Sequence, residues 1–491
     1  MLRLVTSRDQ SYSELRYATL SHCWGAKLPI FTSKATRLDF QKCIPEDTLP
    51  QTFRDAVHIA RSLDIPYLWI DALCIVQDDV DEWQNEAAKM HHIYSGSVLT
   101  IAASEAEDST GGCFMRQSSL LSSSVNGRAK PVKETQDMHS NRNAYSSYEE
   151  ALLDVPGGDS KVMVRVQSGA PWSIQRRKPL SSRGWVLQEQ LLSNRIVHCM
   201  QSEIHWQCRR AYRTQAGQMF DNDTLLQDRH NFSWSPSKRR ERTWCSWVEE
   251  YSTRNFTFID DRVPALAGIA NHYASTTGDS HLLGLWRKTF SRDLLWIRVN
   301  DIKGHPCPSI PSWTWLSCYA PIEIDPFTKN MFDEDQKEDH IVLQEGNVSW
   351  SGPPMTSKIQ STRLVISGPL QTLRLRVDPK AKAKANFPCL HFEGEELDET
   401  GSHLWTGIGQ FDAEEPSPGE YVDYPCLLVR TRKRDDQGRF KEAFLILEEV
   451  VDASCYDSRE EPPVFRRIGI ACKRGVKQTF RSAKNMTIRL S

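Results

Sequence analysis

Tyr17-Ala-Thr-Leu-Ser-His-Cys-Trp-Gly25 is the stretch on which the fold of this chain turns. Strand-forming residues run into the polar cluster Ser21 and His22, and then into a Trp24-Gly25 pair. A buried strand that ends this way puts polar and aromatic groups at the carboxyl edge of a sheet. In open α/β sheets ligands bind at that edge.

Outward from this strand, residues 50–63 read as a helix, with Phe53, Ala56, Val57, Ala60 and Leu63 recurring at helical spacing. Ile65-Pro66 stops it, and residues 67–71 read as a buried strand that ends at Asp71. Asp81 reads as the N-cap of a second helix, which carries Trp83, Ala87, Met90, Ile93 and Tyr94 on one face. Residues 98–103 form the next strand. The order β-α-β-α-β predicts a parallel sheet.

Residues 116–160 are rich in Ser, Asn and Lys and read as a surface insertion, and regular structure returns at 161–166. Ser181 or Ser182 reads as the cap of a helix over 184–192, whose Trp185, Glu189 and Leu192 share a face. Strands over 195–200 and 204–208 follow, and residues 213–245 read as a linker or an exposed face. Past residue 340, short alternating segments predict a β-rich region. The expected division is therefore 1–212, 213–335 (mixed linker and helical) and 336–491 (β-rich).

The chain has 491 residues, 39% of them hydrophobic and 25% charged, which favours globular domains over wholesale disorder. A net charge of −2 supplies no basic field, so nucleic acid is not an expected partner. The 13 cysteines are scattered without a C-x-x-C pair, so zinc spacing is absent and no metal site is expected. No long apolar run suggests a transmembrane segment, and the expected location is cytoplasmic with reduced thiols. Neither a P-loop nor a G-x-G-x-x-G run occurs.

Three segments together resemble the fungal heterokaryon incompatibility (HET) domain. They are Leu20-Ser-His-Cys-Trp-Gly25, Leu68-Trp-Ile-Asp-Ala-Leu-Cys-Ile-Val-Gln-Asp78 and Arg183-Gly-Trp-Val-Leu-Gln-Glu189. Met90 with Ile93-Tyr94, and Leu99-Thr-Ile-Ala-Ala103, are similar to further family stretches. The resemblance assigns residues 1–212 to the HET domain. HET domains are regarded as remote relatives of Toll/interleukin-1 receptor (TIR) domains. The resemblance thus implies an α/β class with a TIR-like, flavodoxin-like parallel sheet, followed by the β-rich C-terminal region. Some TIR domains cleave NAD with a Glu four residues after a Trp, and Trp185 and Glu189 have that spacing.

Glu189 is accordingly the candidate catalytic residue. Cleavage of a nicotinamide–ribose bond builds a cation on the ribose, and a nearby carboxylate stabilises it. The plainer role is a salt-bridging carboxylate with Arg183 or Arg195. Trp24 and Trp185 either stack on a flat ligand ring or fill the core. Gly25 fits a tight turn at a site mouth. Ser21 and His22 either contact a phosphate or ribose or cap a turn. Asp71 either binds a ribose hydroxyl or accepts loop N–H groups. The expected substrate-binding set is therefore Ser21, His22, Trp24, Gly25, Asp71, Arg183 and Trp185. NAD would be a substrate rather than a cofactor. The resemblance further implies non-self recognition and programmed cell death, with self-association through the HET domain and an incompatibility partner protein. A non-enzymatic death-signalling adaptor, or a HET fold recruited to another pathway, is the alternative.

Overall fold

The computed structural model describes residues 1–6, 15–26, 30–114, 148–154, 161–167, 178–200, 203–217, 219–221, 237–299, 305–327, 337–382, 388–393, 407–412, 420–432, 440–450, 461–475 and 478–491. The chain divides into two compact units. One is Met1–Trp83 with His92–Gln227, and the other is Gln84–His91 with Asp228–Ser491.

The first unit is mixed α/β. Its main sheet has seven strands: β1 (Tyr17–Ser21), β2 (Tyr67–Trp69), β3 (Leu99–Ala103), β6 (Arg195–Cys199), β7 (Ile204–Cys208), β8 (Ala211–Thr214) and β9 (Met219–Asp221). Their spatial order is β2-β1-β3-β6-β7-β8-β9. The four strands from β2 to β6 are parallel, and β7 to β9 extend the sheet antiparallel. β4 (Tyr148–Asp154) and β5 (Lys161–Gln167) form a separate antiparallel pair.

All five residues of β1 and of β3 are buried, as strands covered on both faces require. On one face, Phe53, Ala56, Val57 and Ala60 of α2 (Gln51–Ser62) join a core with Ala18, Leu20, Leu99 and Ile101. Residues alternate across a strand, so Ala102 and Ile196 point to the other face, where they pack with Leu180 and Val186. Val186 belongs to α5 (Val186–Leu192). The parallel part of the sheet is thus covered on both faces, and Tyr-Ala-Thr-Leu-Ser is its second strand, between β2 and β3.

Several expectations are corrected. β2 stops at Trp69 and is an edge strand with Tyr67 exposed, because only β1 pairs with it. Asp71 does not end that strand. It is the first residue of a short helix, α3 (Asp71–Cys74), and its carboxylate Oδ1 accepts the N–H of Ala72 at 2.7 Å. The long helix α4 (Val80–Gly96) is capped by Asp79 rather than Asp81: Asp79 Oδ1 accepts from the Glu82 N–H at 3.1 Å, three residues ahead. Neither Ser181 nor Ser182 caps α5. Both lie in a separate 3-10 turn (Leu180–Ser182), and the extended backbone of Arg183 separates that turn from the helix.

The expected insertion at 116–160 contains strand β4, while 116–147 lies outside the described residues. The expected linker at 213–245 also gives way. It contains β9 and the start of helix α6 (Ser237–Ser252). The apolar stripe of α6, Trp244, Trp247, Val248 and Tyr251, is buried at 3–4 residue spacing, and reading a linker as far as 245 cut that stripe in two. The side chains of the basic run 238–242 lie outside the described residues.

The second unit is β-rich. A nine-stranded sheet is built around the long strand Ile359–Lys382, which pairs with Val422–Arg432 and so closes the sheet on itself. Its core holds Leu375, Phe392, Phe411, Leu428, Phe444 and Ile446. Beside it, Trp244 of α6 meets Trp286 edge-on at 5.0 Å, and Tyr273 of α7 (Pro264–Thr277) meets Trp286 at 4.3 Å. Arg467 is fully buried. It donates to the carbonyls of Leu294 and Trp296 at 2.6 Å each and pairs with Asp412 at 2.9 Å, so the buried cation has the partners it needs.

Candidate functional site

The carboxyl end of β1 is a topological switch point, because the chain leaves β1 to form β2 on one side and returns to form β3 on the other. Such a switch point is where open α/β sheets hold ligands. Ser21 is the last residue of β1 and lies in register with Ala102 of β3. Ser21 and Ala102 therefore share the face on which α5 packs.

Glu189 projects from α5 beneath this strand end and is buried, with 6% of its surface exposed. Burial pushes its carboxyl up to about 7. The Ser21 hydroxyl pulls it back, the negative charge of Asp71 pushes it up again, and the charge of Arg183 and the hydroxyl of Tyr94 pull it down. The two hydroxyls thus lie beside the carboxylate. Even so, Glu189 Oε2 and Ser21 Oγ make no hydrogen bond of normal geometry among the described residues.

His22 follows Ser21 and turns to the opposite face, where its ring meets Phe53 edge-on at 4.9 Å. It is 3% exposed. Burial pushes the imidazole down to about 4, against the Asp71 charge and with that of Arg183, so the ring is neutral at pH 7. Its Nδ1 lies 3.7 Å from Asp71 Oδ1, too far for a hydrogen bond, and neither ring nitrogen has a partner among the described residues. Four buried polar atoms around the strand end thus lack a hydrogen bond of normal geometry among the described residues: Ser21 Oγ and Glu189 Oε2 on the α5 face, and both nitrogens of His22 on the α2 face. Buried polar groups are ordinarily paired, and a cluster of exceptions marks a place where a ligand or water belongs.

The other expected residues surround these. Asp71 Oδ2 accepts the indole N–H of Trp24 at 2.9 Å, and Trp24 is half-buried against the core of the α2 face. The Asp71 main-chain carbonyl, not the carboxylate expected to accept loop N–H groups, accepts from the Gln77 side-chain Nε2 at 3.0 Å. Gly25 has φ +77°, and a Cβ there would lie 2.5 Å from the Cβ of Asp108, so only glycine allows the 104–112 loop to close on this turn. Arg183 donates to the carbonyl of His22 at 2.6 Å and lies beside Cys23, whose thiol burial pushes up to about 11. Trp185 occupies the N-cap position of α5, half-buried, with its ring edge-on to Trp83 at 5.9 Å.

Reasoning from sequence did not place Tyr94 here. Its position on the apolar face of α4 reads as core, and it is indeed 1% exposed, yet its hydroxyl faces Glu189. Asp108 was also missed, since only the approach of Gly25 reveals it. A buried carboxyl pushed up to about 7, beside other buried polar atoms without bonds of normal geometry, is suited to acid–base work or to stabilising a transient cation.

Among the described residues no group of three His, Cys, Asp or Glu side chains is arranged to hold a metal ion. No helix of the described residues is long and apolar enough to cross a membrane. Residues 17–189 match the sequence model of the family described as Heterokaryon incompatibility protein (HET). No curated protein and no solved structure matches the chain.

Proposed function

We propose, from the premise that residues 17–189 of this chain are a heterokaryon incompatibility domain, that it acts in fungal non-self recognition and programmed cell death by hydrolysing NAD or a related nucleotide. The four unpartnered polar atoms at the end of β1 carry this reading. The strand order β2-β1-β3-β6, with β1 between β2 and β3, supports a TIR-like module, because flavodoxin-like sheets begin in the same order.

In this reading the nicotinamide–ribose bond breaks with its electron pair leaving on nicotinamide. The ionised Glu189 stabilises the cation left on the ribose, and water then adds to that carbon and gives up a proton. Ser21 and His22 supply hydrogen bonds to the sugar or its phosphates. Trp24 and Trp185 offer flat faces, Gly25 shapes the turn, Asp71 fixes Trp24, and Arg183 balances negative charge. NAD is a substrate here, no metal is required, and self-association in the cytoplasm switches the domain on. The test is nicotinamide release from NAD by the purified, concentrated protein, with Glu189→Gln alongside. Release by the wild type and not by the folded variant supports the reading. No release from assembled wild-type protein overturns it.

One observation favours the adaptor reading. Glu189 and His22 are 6% and 3% exposed, so the site is closed in this conformation. A carboxyl that serves only the fold would leave cell death intact in Glu189→Gln, and blocking assembly would abolish it.

A further inference from the structure

Arg262, in the second unit, is a buried cation that lacks an anion. It ends the 3-10 turn Ile259–Arg262, just before α7. Phe258, Ile259 and Asp260 are exposed, but the Arg262 side chain turns inward, and only 1% of the residue's surface is exposed. The guanidinium lies 5.7 Å from the ring centre of Trp315 and 5.5 Å from that of Tyr319. Nη2 donates to the Trp315 carbonyl at 3.4 Å, a long bond. Nε and Nη1 make no hydrogen bond among the described residues, and most of the donors of a guanidinium are on these two nitrogens.

Three other buried arginines of this unit serve as an internal control. Arg254 has Glu250 at 2.8 Å, Arg430 has Asp325 at 3.1 Å and Arg467 has Asp412 at 2.9 Å. Arg262 has no carboxylate partner among the described residues. The Tyr251 hydroxyl donates to the Arg262 carbonyl, and burial holds that phenol protonated. Burial likewise pushes the thiols of Cys307 and Cys318 up, so none of these groups supplies the negative charge. Aromatic faces attract a cation but offset only part of its lost hydration. Water can take up N–H groups, yet it leaves the charge unbalanced, and an arginine does not shed its proton at pH 7.

We propose that Arg262 anchors a binding site for a small monocarboxylate with an apolar body. The carboxylate accepts the N–H groups that Nε and Nη1 leave unspent and balances the buried charge. One cation matches one negative charge. Arg254, just past α6, is already paired with Glu250, so a doubly charged phosphate would bury an excess charge. The surroundings are rings: Tyr251 meets Phe256 at 5.4 Å and Trp315 at 5.9 Å, and Phe256 meets Tyr319 at 6.4 Å. Beyond Arg262 such walls favour an apolar body. Entry is through the turn itself, whose exposed residues Phe258, Ile259 and Asp260 have few contacts to lose.

The test uses benzoate as the probe and the full-length protein. Equilibrium dialysis should show saturable binding, weakened about 30-fold or more in Arg262→Gln, because a buried charge pair loses one partner. No binding by the wild type, or equal binding by the folded variant, overturns the proposal. Tighter binding of inorganic phosphate overturns the carboxylate assignment. Where Arg262→Gln does not fold, Arg262→Lys keeps the charge and removes the Nε–H. Its loss assigns that signal in the N–H NMR spectrum of protein carrying isotope-labelled arginine. Benzoate should shift the assigned signal, and an unmoved one overturns the proposal. Neither measurement depends on Glu189 or on nicotinamide release.

Discussion

The indole N–H of Trp24 donates to Oδ2 of Asp71 at 2.9 Å, joining the loop after β1 to the first residue of α3 across 47 positions of chain. The bond pairs an aromatic and an acid from two separate stretches of this domain. Each is the other's partner beside the carboxyl end of β1.

Removing that donor should cost stability without unfolding the domain. The Asp71 side chain is 24% exposed, so water replaces part of the bond. Trp24→Phe is expected to cost about 1 kcal/mol in urea denaturation, and the double variant with Asp71→Ala should cost less than the sum of the two singles. Strict additivity would remove the energetic link.

Gly25→Ala should be more damaging than its size suggests. The position has φ +77° and the added Cβ would lie 2.5 Å from Asp108 Cβ. A cost of about 1–3 kcal/mol is expected. Asp108→Gly in the same chain should recover part of it by removing the opposing Cβ. If the double variant is no more stable than Gly25→Ala, the clash is not the cause.

The pH dependence of stability follows from two opposed shifts. Glu189 is raised to about 7 in the folded state, so between its unfolded value and about 7 the native protein binds more protons, and its contribution to stability falls as pH rises. His22 is lowered to about 4, so between about 4 and its unfolded value the native protein binds fewer, and its contribution rises with pH. The two slopes oppose each other across their shared window. Denaturation of Glu189→Gln should therefore show stability climbing from about pH 4 to about 6.5, more steeply than in the wild type. Identical slopes in the two proteins would show that Glu189 ionises as it does in the unfolded chain.

The same carboxyl predicts a pH profile for catalysis. If the ionised form stabilises the ribose cation, nicotinamide release should climb through about pH 7 and level off above it. Glu189→Gln should lower the rate on the order of 10²-fold or more and flatten that limb. A rate that falls through the same range would instead make Glu189 an acid.

Elements whose signal is local were readable in advance. The run at 17–21, the stripe of α2 and the strands at 99–103 and 195–199 each declare their faces through their own spacing. The errors fall where a distant partner decides. Asp71 begins a helix, and its oxygens are taken by Trp24 and the Ala72 N–H rather than by the loop. Tyr67 is exposed because β2 has one neighbour. Residues 237–252 are a helix whose stripe finds Trp286 and Tyr273 much further along.

The order of residues alone determined that this chain carries a HET domain with a strand running into Ser21 and His22, a helix bearing Glu189 and a β-rich region after it. Spacing along a strand or helix is a local property, and it says which side chains share a face. Tertiary structure alone decided that Tyr94 is a neighbour of Glu189, that Arg183 donates to the His22 carbonyl 161 residues away, and that His22 and Glu189 lose their water. Desolvation and hydrogen-bond pairing are properties of the space around a group, and segments far apart in the chain build that space. They decide whether a carboxyl is an ordinary surface acid or one that titrates at about 7.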